Sequence, residues 1–221
     1  LGDKRSKAVT MGDIARILKD KGDVDTALGM HQEEMSIYES LGDKRSKAVT
    51  MGDIARILTD KGDVDTALGM HQEMVAIFES LGDKRSKAVT MGDIALILKD
   101  KGDVDTALGM LQEELKIAES LGDKDLLAGT YFYLGQLYLS QSKPRQAFEA
   151  FGNSYRLNCE LGRLDGIAFS GMQMGVLLCG SGKREEGLKL LEQSRAAFRK
   201  LDWPGPLQQV EQIIEQLTGE G

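Results

Sequence analysis

The sequence predicts an all-α protein, a solenoid of five helix–turn–helix repeats closed by a C-terminal capping helix. Three observations predict it: a block that recurs every forty residues, apolar residues at three- and four-residue spacing inside each block, and Gly-Asp pairs where the apolar runs stop. Composition agrees. Charged residues make up 29% and aromatics 5%, a balance suited to helices. Only three prolines occur, so few positions carry the strongest helix breaker.

The block Leu-Gly-Asp-Lys-Arg-Ser-Lys-Ala-Val-Thr-Met-Gly-Asp-Ile-Ala starts at Leu1, Leu41 and Leu81. These copies differ at few positions, among them Arg16/Arg56/Leu96, His31/His71/Leu111 and Tyr38/Phe78/Ala118. Diverged copies begin at Leu121-Gly122-Asp123-Lys124 and at Leu161-Gly162, giving repeats 1–40, 41–80, 81–120, 121–160 and 161–200 of one array. The chain opens on the tripeptide that restarts each repeat, so it reads as a fragment of a longer array.

Each copy divides into two helices. In the first, Ala8, Met11, Ile14, Ala15 and Leu18 share one face, the buried one. Gly22 ends it, because a helix terminus needs a left-handed residue and glycine adopts that conformation without penalty. Asp23 then caps the second helix by accepting from its unpaired amides. That helix turns Val24, Ala27, Leu28, His31, Met35 and Tyr38 inward, and Gly42-Asp43 restarts the cycle. Breaks between paired helices are therefore expected near Gly22, Gly62, Gly102, Lys143 and Gly182. Gly12 and Gly29 lie inside helices, where glycine costs about 1 kcal/mol relative to alanine. Close helix packing is the expected compensation.

At this point the sequence resembles the tetratricopeptide repeat (TPR) family. That pattern reads aromatic, two residues, Leu-Gly, two residues, Tyr, then Ala, three residues and Phe. The fourth copy carries Tyr131, Leu134, Gly135, Tyr138, Ala147 and Phe151 at those positions. The first carries Met11, Ile14, Ala15, Leu18, Ala27 and His31, and the third Met91, Ile94, Ala95, Leu98, Ala107 and Leu111. The period is forty rather than the family's usual thirty-four, and Glu-Ser-Leu-Gly-Asp replaces the closing proline. This variant looks like the repeats of kinesin light chains and Pins-type scaffolds, and like the repeat arms of bacterial signalling NTPases and caspase-like protease partners.

Beyond Trp203-Pro204-Gly205-Pro206, residues Leu207, Val210, Ile213, Ile214 and Leu217 form one more amphipathic helix, at about 206–218. Gln208, Gln209, Glu211 and Gln212 give it the polar outer face that a solenoid end requires. No comparable cap precedes the first repeat. No run approaches the roughly 20 apolar residues that span a bilayer, and no secretory leader is visible. A cytoplasmic location is expected.

A search for chemistry finds little. His31 and His71 occupy one repeat position, which Leu111 and Phe151 fill elsewhere, so bulk rather than metal ligation is expected of it. On that reading, leucine at either histidine should be tolerated. Cys159 and Cys179 are separated by a helix of about sixteen residues, some 20 Å long. That exceeds the roughly 7 Å between alpha carbons that a disulfide allows, so free thiols are expected. Asp23 and Asp25 lack the alternating oxygen ligands and closing glutamate of a calcium loop. No phosphate-cradling Gly-Lys-Ser/Thr loop occurs. The expectation is a non-enzyme without cofactor or metal.

The surface remains. The resemblance implies that first helices line a concave groove, here with Asp13, Arg16 and Asp20, then Asp53, Arg56 and Asp60, then Asp93, Leu96 and Asp100. Later repeats place Tyr133, Gln136 and Ser140, then Gln173, Val176 and Gly180, in the same ladder. A basic edge, Lys4-Arg5-Lys7 and its copies, should be blunted by Glu33, Glu34 and Glu39. The expected function is a protein–protein interaction scaffold, the arm of a larger signalling protein, binding a peptide or partner domain through the groove. Helical-repeat RNA binding is the alternative, and the net charge of −7 speaks against it, because phosphate contacts require a basic surface.

Overall fold

The computed structural model describes residues 2–219, and among these it contains eleven α-helices and no strand. They are α1 (Gly2–Asp20), α2 (Val24–Ser40), α3 (Lys44–Asp60), α4 (Val64–Ser80), α5 (Lys84–Asp100), α6 (Val104–Leu121), α7 (Lys124–Ser140), α8 (Pro144–Leu161), α9 (Leu164–Gly180), α10 (Arg184–Lys200) and α11 (Pro204–Thr218). All five expected breaks fall in turns between these helices, and α11 is the expected closing helix. The helices group into two compact units, α1–α5 and α6–α11, parting between Lys101 and Gly102. None is long and apolar enough to cross a membrane.

The first turn is tied at both ends. After α1, Gly22 takes φ +88°, and Asp23 N–H reaches back to the Leu18 carbonyl at 2.9 Å, which satisfies the terminal carbonyls of the helix. The Asp23 carboxylate then accepts from Thr26 N–H at 3.3 Å, so capping rather than calcium accounts for this aspartate. Later turns lose the aspartate: Lys143 and Trp203 provide no side-chain cap, and Pro144 and Pro204 open α8 and α11 instead. Proline suits a first helical position because that N–H has no partner within the helix.

In the first unit, Ala15, Ala27 and Ile57 are fully buried together, backed by Leu18, Val24 and Leu28. A second cluster joins Ala48, Met51, Met74 and Phe78. Burial departs from the expected pattern at one end. Ile14 and Ile17 are 42% and 53% exposed, whereas Ile54 and Ile57, forty residues on, are 2% and 0% exposed. The difference is α2, which packs on α3 and covers that face. In the second unit, Ala168, Met172, Leu191, Phe198, Val210 and Ile214 form the core shared by α9, α10 and α11.

Internal glycines divide into two kinds. A Cβ on Gly135 would lie 2.6 Å from the Phe151 ring, so the family's Leu-Gly position exists here to admit that aromatic. Gly12 is spared a Cβ by Glu34, whose Oε1 would stand 2.6 Å from it. Gly29 faces nothing within 4 Å, and close packing does not explain it.

Glu34 corrects a third expectation. Rather than blunting the basic edge it is 4% exposed, and a 2.9 Å hydrogen bond joins its Oε2 to Nδ1 of His31, itself 1% exposed. In the next repeat Met74 replaces the glutamate, and Nδ1 of His71 is buried without a hydrogen-bond partner. The two histidines are thus alike in burial and unlike in chemistry. Glu33 and Glu39 do blunt the basic edge as expected, Glu33 pairing with Lys7 at 2.8 Å and Glu39 with Lys47 at 3.1 Å, while Asp43 pairs with Arg5 at 2.9 Å and Glu73 with Lys47 at 3.3 Å.

Candidate partner-binding site

Two cavities collect the ladder residues, one in each unit. The first, of about 460 Å³, is lined by Asp53, Arg56, Asp60, Asp93, Leu96 and Asp100 from α3 and α5, with His71, Met74 and Phe78 of α4 contributing from behind. Asp13, Arg16 and Asp20 do not line it. They occupy the same register on α1, and Arg16 links the two rungs by reaching Asp13 at 3.1 Å and Asp53 at 3.4 Å.

Sequence reading missed one row of this ladder. Val49 and Val89 also line the cavity, each one helical turn before an aspartate, and Val9 repeats the position on α1. All three stay 38–48% exposed despite being apolar. Spacing by four from Asp13, Asp53 and Asp93 was the signal that would have found them.

Electrostatics in this cavity are uneven. Arg56 lies 3.8 Å from Asp53, a loose pair that solvent weakens. Asp93 has an accessible surface, yet protein stands around it. Desolvation pushes its carboxyl up to about 6, with the Arg56 charge pulling the other way. His71 moves down from its ordinary value, through burial and then through Arg56.

The second cavity, of about 470 Å³, holds Tyr133 and Gln136 of α7 together with Gln173 of α9 and Gln209 of α11. In the forty-residue register Gly129, Phe169 and Gln209 continue the valine row, while Tyr133 and Gln173 continue the aspartate row. The wall is aromatic: the Phe132 ring lies edge-on to Tyr133 and Phe169, with centroids 6.1 and 6.3 Å away. Beneath it, Ser154 and Ser170 share a 2.9 Å hydrogen bond, and Asn158 donates to the Ser154 carbonyl at 2.9 Å. At the rim Arg163 is paired with both Asp125 and Asp165. Both cysteines are free. Among the described residues no histidine, cysteine or carboxylate cluster fit for a metal ion occurs.

The tetratricopeptide repeat family model matches residues 6–80 and 86–160, more than half of the chain. No curated protein sequence matches. Several solved structures share the fold. BtubC (BKLC) from P. vanneervenii superposes with a TM-score of 0.78 at 16% identity, over 90% of this chain and 83% of that one. Nearly identical TPR-like repeats assigned to a kinesin light chain of Podosopora anserina give 0.67 at 20% identity, over 90% and 98%. The Rap conjugation gene regulator of plasmid pLS20, solved in complex with the Phr* peptide, gives 0.80 at 14% identity, over 94% of this chain and 57% of the regulator. At such identities the likeness is one of fold. This chain belongs to the tetratricopeptide repeat family.

Proposed function

We propose that the chain is a protein-interaction scaffold that holds an extended peptide segment against its first helices. The observation that carries this reading is the register: positions 9, 13 and 16 of the forty-residue repeat line a cavity in the first unit and again in the second. Side chains that recur at one surface position and stay accessible there are free to contact a partner, whereas recurrence in the core reflects packing. The peptide complex of the Rap regulator lends support, although this chain spans only 57% of that protein. Its role is binding rather than catalysis, and the two free thiols fit a reducing compartment such as the cytoplasm.

Photo-crosslinking tests the reading. A benzophenone amino acid at Leu96 or Gln136, inside the cavities, should capture members of a random dodecapeptide library. The same group at exposed Gln72 or Gln193, on second helices, should capture few. Capture at Gln72 and Gln193 alone would move the binding face elsewhere.

A further inference from the structure

We infer that the cavity of the second unit takes an uncharged, extended peptide strand with a bulky apolar side chain, which deepens the scaffold reading and rests on it. Three features of the cavity select that occupant.

Charge comes first. The cavity's charged groups are Asp125, Arg163 and Asp165, and Arg163 already joins both carboxylates. An arriving cation or anion would have to compete with that pairing for its counter-charge, and an ion desolvated without one is strongly disfavoured. The first unit's cavity differs here, with Asp53, Asp60, Asp93 and Asp100 against Arg56 and Arg85.

Hydrogen bonding comes second. The serine and asparagine groups on the floor are engaged with one another. Among the described residues, the side-chain amides of Gln136, Gln173 and Gln209 have no hydrogen-bond partner within the chain. Each amide offers one acceptor and two donors. A peptide backbone presents the complementary alternation of N–H and C=O at about 3.3 Å per residue. Glutamines on three successive first-helix positions therefore suit a backbone lying across α7, α9 and α11.

Apolar surface is the third. Phe132, Tyr133 and Phe169 are only half-buried, and their edges border a 470 Å³ space. Rings arranged edge-to-face leave faces and edges on which an aromatic or leucine side chain gains contact. The space at Gly129 is open, since a Cβ there would meet nothing within 4 Å. That glycine leaves vacant the place that Phe169 occupies one repeat later.

The test uses the full chain and three fluorescent decapeptide libraries: uncharged with fixed Phe or Leu positions, acidic, and basic. Anisotropy is read for the parent chain, for Gly129→Phe, whose Cβ would meet nothing within 4 Å and whose ring is meant to occupy the cavity, and for Gln136→Leu/Gln173→Leu. The uncharged library should bind best. Each variant should weaken it at least about tenfold, the factor that corresponds to roughly 1.4 kcal/mol of lost contact. Gln193→Leu, an outer-face control, should leave binding unchanged. Preferential binding of the acidic or basic library, still lost in Gly129→Phe, overturns the partner chemistry while the scaffold reading survives. Should no library lose binding in Gly129→Phe, the cavity is not a peptide site and this inference fails together with the groove reading for this unit.

Discussion

The paired histidines offer the sharpest test of the packing described above. His31 and His71 occupy one repeat position and are 1% and 6% exposed, so burial alone predicts equal responses to leucine. Their partners predict a difference. Leucine at position 31 would strip Glu34 Oε2 of the 2.9 Å hydrogen bond that satisfies it, inside a site where Glu34 is 4% exposed. An unsatisfied buried polar atom costs about 1–3 kcal/mol, and the added apolar burial of leucine returns roughly 1 kcal/mol at most. A net loss of about 1–2 kcal/mol is expected, or about 2–8 °C in melting temperature for a chain of this size. His71→Leu removes an Nδ1 that has no partner, and should be neutral or stabilising by up to about 1 kcal/mol. Combining His31→Leu with Glu34→Met copies the residue found at Met74 and should restore most of the loss. The assay is urea unfolding followed by far-ultraviolet circular dichroism, with amide exchange on α1 and α2. The sole tryptophan, Trp203, lies in the other unit and would not report on this site. Equal effects at the two histidines, or a His31→Leu chain within about 0.5 kcal/mol of the parent, would refute the reasoning.

Three further outcomes are expected. Ile57→Ala should cost about 2–4 kcal/mol in urea unfolding because Ile57 is fully buried, while Ile17→Ala, at 53% exposure, should cost under about 0.5 kcal/mol. Among the described residues, Ser142 and Asp202 are the non-glycine residues with positive φ, 56° and 55°, so glycine at either should stabilise the fold by about 0.5–1 kcal/mol, read as a higher urea midpoint. Asp93→Asn should stabilise at pH 7. The folded carboxyl titrates near 6 rather than 3.8, so ionisation disfavours the native state and its cost is fully present above about pH 6. Because the side chain reaches solvent in the cavity, the gain is discounted to about 0.5–1 kcal/mol, and it should vanish below about pH 4, where the carboxyl is neutral in both states. A gain that persists at pH 3 would assign the effect to something other than the carboxylate.

Helix order and turn positions were readable because the repeat states them several times. Gly22, Gly62 and Gly102 each take a left-handed φ at the same point in the register, and Asp23, Asp63 and Asp103 each cap the helix that follows. Ser142 shows the limit of that signal. The backbone keeps its left-handed turn there without glycine, because the packed helices on either side fix the chain path. Glu34 was misread for a related reason. Helical spacing places it beside Glu33, but only the space left by Gly12 and the ring of His31 draws it inward. The aspartate and arginine rungs could be placed by register. Their partners could not, since Arg16 spans two helices to reach Asp53. Valines at positions 9, 49 and 89 look like core residues by type, although their spacing by four from the aspartates puts them on the ladder face where they are exposed and where Val49 and Val89 line the cavity.

The first-helix ladder is the proposed binding face. Its most direct test is nuclear magnetic resonance of the glutamine side-chain amides while the full chain is titrated with the tightest-binding uncharged decapeptide. Resonances of Gln136, Gln173 and Gln209 should move together and saturate with the binding curve, while those of Gln72 and Gln193 stay in place. Movement of Gln72 or Gln193, with the three cavity amides unmoved at saturation, would place the binding face on the second helices instead.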